Sequence, residues 1–320
     1  MAPAERFEVT GALDGERLDR AVALVTGRPR SAVRALVADG AILLDGVPTT
    51  VASTRLSVGA VVHIAAIAKP TMAPDAAAAP VPEETVDVEV VYTDNDVVVV
   101  NKPTGVVTHP GPGHPTGTLA DALVQRFPEM TEAGPPDRWG IVHRLDRGTS
   151  GLLVCARNSA AYDALVAQLA SREITRIYLA LVRGMPESVR GTIDAPIGRD
   201  RHHRTMMTVL SDGRPARTHF ALVESFSHPV DASLLRCALE TGRTHQIRVH
   251  LASIGLPLLG DLAYGVPDPF GIGRPLLHAT RLEFRHPSTD EAMSFEAELS
   301  PDFAEAIRQF GGDPATITVT

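Results

Sequence analysis

Asp146 lies in a run of polar and small residues, His143 to Gly151, that reads HRLDRGTSG. The run stands between a glycine-rich approach and the apolar stretch Leu152 to Val154, so we expect it where a loop meets a sheet edge. Loops on a rigid scaffold are where catalytic groups concentrate. A carboxylate there can attack an electrophilic carbon or accept a proton. Taken alone, however, an Arg-Leu-Asp triplet is usually a surface ion pair.

Other catalytic chemistries fit the residue spacing poorly. The twelve histidines include no HExxH pair, and His245 and His250 are five positions apart, off one helical face, so we expect no metal site. The segment GPGHPTG at 111–117 lacks the spacing of phosphate-binding loops and predicts a turn. A glycoside hydrolase using Asp146 would need a second acid, and no motif specifies one.

Three long segments are more specific than the triplet. They are NKPTGVVTHPGPGHPTGTLADAL at 101–123, HRLDRGTSGLLV at 143–154 and TGRTHQIRVHLASIGLPLLGD at 241–261. In this order they resemble the ribosomal large-subunit pseudouridine synthase family, and within it the synthase D type. The resemblance covers roughly Gly15 to Phe303. It implies an isomerase that converts uridine to pseudouridine in RNA and needs no cofactor.

The resemblance also implies roles for individual residues. Asp146 becomes the nucleophile that acts on a flipped-out uridine, and Arg248 its cationic partner, which a carboxylate in a closed pocket requires to stay ionised. Tyr178 is expected to stack on the target base. Arg144 is expected to fill the vacated stack, with His143 beside it as a further RNA-binding residue. The carboxylate could hold the detached sugar, add to the base, or act as a base at the ribose.

Periodicity supports the positions of the two partners of Asp146. A helix predicted at 244–254 has Ile247, Leu251 and Ile254 on its apolar face, and Arg248 lies at the margin of that face, pointing inward or outward. A strand predicted at 174–182 places Tyr178 on the face opposite Leu179 and its neighbours. Arg243 and His245 are weaker candidates for the site wall, and Lys102 is expected to be structural.

Charge is unevenly distributed along the chain. The net charge is −8, which by itself argues against a nucleic-acid partner. Residues 141–219 nevertheless carry twelve arginines against seven acids, whereas 286–320 carry seven acids and one arginine. Only Lys69 and Lys102 are lysines, and arginine suits phosphate contacts and base stacking, although biased genome composition would explain the preference equally well. The basic run GRDRHHRTM includes the RNA-binding candidates Arg201 and Arg204, or forms a solvated hairpin tip.

The amino-terminal part predicts a small helical and strand domain over 15–68. Leu18, Ala21, Val22 and Val25 follow helical spacing, a second short helix is predicted at 32–39, and short strands follow. The segment resembles the alpha-L RNA-binding motif. Its candidate RNA-binding side chains are Arg17, Arg20, Arg30 and Arg34.

The low-complexity segment 69–82, KPTMAPDAAAAPVP, predicts a linker. Beyond it we expect a catalytic domain over 83–310, in which strands come in consecutive pairs joined by turns. This pattern indicates an α+β class with a mixed, largely antiparallel central sheet. The resemblance implies the pseudouridine synthase fold.

Composition is that of a soluble globular protein, with 44% hydrophobic and 21% charged residues and no apolar run long enough to span a membrane. We expect a cytoplasmic monomer with RNA, most specifically large-subunit rRNA, as its partner. Cys155 and Cys237 lie in apolar runs and are interpreted as buried thiols.

The substrate is less determined than the chemistry. The synthase D type modifies the stem-loop called helix 69 of 23S rRNA, so the resemblance implies that target. A tRNA-modifying synthase stays open, as does a function in ribosome biogenesis as an RNA-binding assembly factor that keeps the fold without required catalysis.

Overall fold

The computed structural model describes residues 5–28, 33, 36–37, 40–64, 86–111, 114–135, 138–203, 205–265 and 271–317. The chain divides into two compact units, Met1–Ala79 and Pro80–Thr320. The predicted linker 69–82 lies outside the described residues. No helix formed by the described residues is long and apolar enough to cross a bilayer.

The amino-terminal unit is a four-stranded antiparallel sheet with one fully described helix. Its elements are β1 (Glu5–Glu8), α1 (Leu18–Thr26), β2 (Ile42–Leu44), β3 (Val47–Pro48) and β4 (Val61–Ile64), and the strand order is β1-β4-β2-β3. Strand β1 pairs with β4 although it precedes Gly15, where the sequence pattern begins. On α1, Leu18 and Val22 are buried, whereas Val25 is 48% exposed although it follows the same helical spacing.

Most of the second predicted helix, 32–39, lies outside the described residues. Three of its positions, Val33, Leu36 and Val37, are described and helical. Val33 and Val37 are buried in the core of the amino-terminal unit, which is consistent with an amphipathic helix there.

The larger unit contains a nine-stranded sheet, a short hairpin and four α-helices among the described residues. The elements are β5 (Glu89–Thr93), β6 (Val97–Lys102), α2 (Leu119–Arg126), β7 (Ser150–Ala156), α3 (Ser159–Ser171), β8 (Thr175–Arg183), β9 (Arg190–Asp194), β10 (Ile197–Arg199), β11 (Met207–Val209), β12 (Arg217–Phe226), β13 (Ala232–Leu239), α4 (Gln246–Ser253), β14 (Leu277–Arg285), β15 (Ala292–Glu296) and α5 (Pro301–Gln309).

The strand order of the large sheet is β5-β6-β7-β14-β8-β13-β12-β9, with β15 beside β14. Only β7 and β14 pair in parallel; the other pairs are antiparallel. The expected α+β class with a mixed, largely antiparallel sheet is confirmed. The insertion of β14 between β7 and β8 is the topological feature that builds the site.

Alternate side chains of strand β8 pack into two different core clusters. Tyr178, Ala180 and Val182 pack into one core cluster, and Leu179 and Leu181 pack into another on the opposite face. The predicted alternation is confirmed, because successive side chains of a strand point to opposite faces. Both faces of this strand are therefore covered.

Helix α4 is shorter than the predicted helix 244–254. Ile247 and Leu251 are buried, as expected. Ile254 is 43% exposed because it follows the last helical residue, so its predicted place on the apolar face was wrong.

The two cysteines, Cys155 and Cys237, are free and buried, as predicted. Burial raises the pKa of each thiol to about 12. At neutral pH both thiols are therefore protonated and pack as small apolar side chains.

Candidate active site

The loop that carries Asp146 is anchored to the segment after β6. Thr108 donates its hydroxyl to the carbonyl of Leu145 over 2.8 Å, and the backbone N–H of Gly105 donates to the carbonyl of Arg147 over 2.8 Å. The loop then enters β7 at Gly151, where φ is 111° and an added Cβ would lie 2.2 Å from the carbonyl oxygen of Ala279 on β14. Only glycine fits so close a backbone approach.

Lys102 supports the segment after β6 from inside the protein. Its side chain is fully buried, and its Nζ donates to the carbonyls of Pro103 and Val106 over 2.7 and 2.9 Å. Burial lowers the pKa of Lys102 to about 7, although the negative charge of Asp146 opposes that shift. These contacts fit the structural role expected for Lys102.

The carboxylate of Asp146 faces the guanidinium of Arg248. Arg248 Nη1 lies 3.4 Å from Oδ2 of Asp146, and only 11% and 14% of the two side chains is exposed. Arg248 therefore points inward, which periodicity alone left open. The two side chains therefore form an ion pair.

Asp261 holds Arg248 in place with two hydrogen bonds. Arg248 Nε and Nη2 donate to its two carboxylate oxygens over 2.7 and 2.8 Å, and the Asp261 side chain is 1% exposed. Burial alone would lower the pKa of Arg248, but Asp261 and then Asp146 reverse this, so the net shift is upward. Bidentate pairing fixes the orientation of the guanidinium as well as its charge.

Tyr264 and His245 complete the surroundings of the ion pair. The guanidinium carbon of Arg248 lies 4.8 Å from the ring centroid of Tyr264, in cation–π contact. The Tyr264 hydroxyl is 2.7 Å from Nδ1 of His245, whose Nε2 is 4.0 Å from Oδ1 of Asp146. Burial lowers the pKa of His245, so a neutral imidazole faces the carboxylate. His245 therefore lines the site, for whose wall the sequence made it a weaker candidate.

Tyr178 lies against the same site because of strand pairing. On β14, Ala279 pairs with Tyr178 of β8 on one side and with Gly151 of β7 on the other. Tyr178 is 5% exposed, and burial raises the pKa of its hydroxyl, with Arg176 opposing and Asp146 reinforcing the shift. The phenol stays protonated, and its ring forms part of the wall.

Asp146, Tyr178, His245 and Arg248 line a cleft of about 700 Å³. Two acids, Asp146 and Glu240, lie among its lining residues. The seven arginines that line it are Arg138, Arg144, Arg172, Arg176, Arg214, Arg243 and Arg248. The cleft is therefore strongly cationic although the chain as a whole is acidic, which is the local charge that an RNA backbone requires.

Arg144 and His143 occupy different positions in the cleft wall. Arg144 is exposed and lines the cleft. His143 also lines it, but its Nε2 accepts the backbone N–H of Val154 in β7 over 3.2 Å. Of the two, Arg144 has the side chain that is able to reach a substrate, whereas His143 is tied to the sheet.

The pKa of His143 predicts an acid dependence of stability. Burial, followed by the charge of Arg176, lowers this pKa from 6.5 to about 3, so between these values the unfolded chain binds a proton that the folded chain does not. The unfolding free energy should fall with decreasing pH in this window, by up to about 1.4 kcal/mol per pH unit for one group. His143→Gln should flatten that slope in urea unfolding at several pH values. The exposed His202→Gln should not, and equal slopes for both variants would contradict the assignment.

The other RNA-binding candidates are dispersed. Arg17 pairs with Asp19 and Arg20 with Glu16 in the amino-terminal unit, and Arg30 and Arg34 lie outside the described residues. In the larger unit, the basic run joins β10 to β11. Its Arg201 is exposed and pairs with Asp212 over 2.9 Å, and Arg204 lies outside the described residues.

Three residues of the site carried no role in the sequence analysis: Asp261, Tyr264 and Arg176. Asp261 ends the third family segment, so its place in that segment was a signal. Tyr264 lies three positions further along the chain. The chain has only four tyrosines, so a tyrosine close to a family segment was a weaker signal. Arg176 precedes Tyr178 by two positions and shares its strand face, a relation that a period of two predicts.

One group of side chains among the described residues has the spacing of metal ligands. Asp94, Asp96 and His286 offer ligand atoms within 4.8 Å of one another. Each already has hydrogen-bond partners: Asp94 accepts from Tyr92 and pairs with His286, and Asp96 accepts from neighbouring polar side chains. The group is remote from the cleft lining and ties β5 and β6 to the segment after β14.

Comparison with known proteins adds an independent result. Residues 96–253 match the family model described as RNA pseudouridylate synthase. An uncharacterized RNA pseudouridine synthase of Bacillus subtilis is 43% identical over 293 residues, covering 91% of this chain and 93% of the relative. The ribosomal large subunit pseudouridine synthase D of Vibrio vulnificus is 39% identical over 320 residues, with 94% of each covered.

A solved structure also resembles this chain. The human RNA pseudouridylate synthase domain containing 1 protein has a TM-score of 0.53 and 32% identity over 68% of this chain and 85% of that chain. The α+β fold with its mixed sheet is thus shared with that protein.

Proposed function

Because the chain belongs to the RNA pseudouridylate synthase family and converts uridine to pseudouridine in RNA, we propose that Asp146 is the nucleophile of this isomerisation. The observation that carries the proposal is the pair formed by Asp146 and Arg248, 3.4 Å apart at the wall of a cationic cleft. An ionised carboxylate that is open to substrate can form and release a covalent intermediate.

The reaction requires the bond between N1 and the ribose C1′ to break, the uracil to turn, and C5 to bond to C1′. The proton on C5 is then lost and N1 gains one, so no electrons are exchanged with a cofactor. Asp146 can stabilise the separated base and sugar by bonding to C1′ or to the base, or by acting as a base at the ribose. In each case Arg248 pairs with the carboxylate, and Asp261 keeps Arg248 aimed at it.

Tyr178 is proposed to stack on the flipped uracil. Its ring lies in the cleft wall with Asp146, and burial raises the pKa of its hydroxyl. A protonated phenol can donate a hydrogen bond but is a poor base at neutral pH. Aromatic stacking on an unpaired base is worth about 1–3 kcal/mol, enough to offset part of the cost of extracting the base from its stack.

Arg144 is proposed to fill the place that the uridine leaves. It is exposed, lines the cleft and stands two residues before Asp146. A guanidinium is planar and can stack between bases while it contacts phosphate. His143, Arg201 and Arg204 are proposed as further RNA contacts.

The substrate we propose is the helix 69 stem-loop of 23S rRNA. Support comes from the relatives that are named for the ribosomal large subunit, which match over 94% of this chain in the case of Vibrio vulnificus. The amino-terminal domain, 15–68, joined by the linker 69–82 to the catalytic domain, 83–310, would add contacts through its arginines. Those arginines are Arg17, Arg20, Arg30 and Arg34. The protein would act as a cytoplasmic monomer, with no small-molecule cofactor.

Mapping pseudouridine in a deletion strain tests the substrate. We expect the loss of pseudouridine at helix 69, with unchanged tRNA positions, and its return when the wild-type chain is supplied. Loss confined to tRNA would overturn the rRNA substrate and leave the catalytic proposal intact. No change at any uridine would overturn both.

A further inference from the structure

Arg176 is a buried arginine for which the described part of the chain supplies no paired acid. It lies on β8, two residues before Tyr178, and is 8% exposed, with its remaining exposed surface in the lining of the cleft. Among the described residues no carboxylate or carbonyl accepts a hydrogen bond from its guanidinium, and its Nε is buried without a partner. Such a group is costly, because a buried charge normally requires an opposite charge.

The acids that line the cleft already pair with other cationic side chains. Asp146 faces Arg248 at 3.4 Å. Glu240 pairs with Arg172, with Arg217 at 3.3 Å and with His219 at 2.8 Å. Neither acid is therefore available to neutralise the charge of Arg176.

The neighbours of the guanidinium are a glycine, a neutral imidazole and further arginines. Nη1 lies 2.8 Å from the position that a Cβ on Gly242 would occupy, so the glycine between β13 and α4 gives it room. The charge of Arg176 lowers the pKa of His143, after the larger effect of burial, so that neighbour is neutral. Arg214 and Arg243 also line this cleft and add positive charge.

From these contacts we infer that Arg176 binds a phosphodiester group of the RNA, next to the nucleotide that enters the cleft. This inference rests on the proposed RNA substrate. The charge decides between possible ligands: a uracil carbonyl would satisfy hydrogen-bond donors but leave the charge unbalanced. The anionic group that every RNA supplies is the phosphate, and a guanidinium can bind it with two parallel hydrogen bonds.

Stability separates this role from a structural one. Arg274 is the matched control, because it is similarly buried at 7% but pairs with Asp302 through two nitrogens. Arg274→Gln should lower the Tm by several degrees, since it leaves a carboxylate without its partner. Arg176→Gln should leave the Tm unchanged or raise it, because it removes a charge that has no partner in the free protein. An equal loss of Tm in both variants would overturn the inference.

Binding to a chemically altered RNA tests the ligand itself. The probe is a synthetic hairpin that carries the uridine identified by mapping in the deletion strain, with either natural phosphates or a neutral methylphosphonate on each side of that uridine. The parent protein and its Arg176→Gln variant both carry Asp146→Asn, so that the RNA is not converted during the measurement. The exposed Arg308→Gln on α5 is the control variant.

We expect Arg176→Gln to weaken the Kd for natural RNA about tenfold and to reduce the slope of log Kd against log salt by about one. Neutralising the contacted phosphate should cost the parent protein the same tenfold and the Arg176→Gln variant nothing further. Equal losses in both proteins would overturn the phosphate contact while leaving the synthase proposal intact. If mapping finds no modified uridine, the proposed function fails and this inference fails with it.

Discussion

Asp146→Asn should abolish pseudouridine formation while preserving RNA binding. The amide has nearly the same shape as the carboxylate but cannot act as a nucleophile or a base. Removing a catalytic group that acts within such a unit lowers the rate by at least about 10⁴-fold. Single-turnover assays on the RNA identified by mapping would measure the rate, and a filter-binding assay would measure the Kd.

The matched control for this substitution is Asp163→Asn, an exposed carboxylate on α3. It should change neither rate nor Kd. If Asp146→Asn modified the RNA at a rate within tenfold of wild type, the proposal that Asp146 is the nucleophile would be wrong. The same variant distinguishes the assembly-factor alternative: if it restores ribosome assembly in a deletion strain without restoring pseudouridine, binding rather than catalysis is the required function.

Asp261→Asn should damage both stability and catalysis. The carboxylate accepts two hydrogen bonds from Arg248 and, through Oδ1, the backbone N–H groups of Ala263 and Tyr264 over 3.0 and 3.2 Å. Breaking a buried ion pair by removing one partner costs about 3–5 kcal/mol. Arg248 would also lose its fixed orientation toward Asp146, so we expect a fall in kcat of about 10²-fold, since catalytic groups must be held to within a fraction of an ångström.

Urea unfolding and single-turnover kinetics would measure the two effects. The control is Asp290→Asn, whose carboxylate is 79% exposed and lies 3.3 Å from Arg285. An exposed pair contributes about 0–1 kcal/mol, so this variant should resemble wild type. If Asp261→Asn were as stable and as active as the control, Asp261 would have no role in positioning Arg248.

Local patterns in the chain predicted most of the elements of the larger unit. Alternation of Val86, Val88 and Val90, a turn at 94–96 and an apolar run at 97–100 together predict a hairpin, and β5 and β6 pair in antiparallel fashion. Thr118 precedes apolar residues at helical spacing, which predicts a helix cap, and it caps α2 with a capping box in which Asp121 is the reciprocal partner. These predictions were correct because each depends on residues only a few positions apart.

Helix ends and exposure were predicted less well. Val25 and Ile254 have the spacing of core residues but are 48% and 43% exposed, because each lies at or beyond the last turn of its helix. Strand β1 was not predicted, since its pairing with β4 joins positions more than fifty residues apart. Periodicity predicts which residues share one face of a helix. It does not predict how much of that face a neighbouring element covers.

The candidate catalytic residues could be proposed from the sequence alone. Asp146 and Arg248 stand in long segments whose order is specific, whereas Tyr178 lies outside them and was proposed from the resemblance and from its place in a predicted strand. The concentration of arginine around Asp146 indicated an RNA partner despite the acidic total. The tertiary structure decided how these groups are used. Arg248 lies 102 positions from Asp146, and it faces that carboxylate because Asp261, itself buried, holds its other side.

The role inferred for Arg176 likewise depends on the tertiary structure. Its sequence position relates it to Tyr178, but only the packed sheet shows that it is buried and that the nearby acids pair with other cations. Spacing along a chain determines which residues share a face. Which charges balance one another depends on long-range strand order, here the placement of β14 between β7 and β8, and that order is a property of the folded chain.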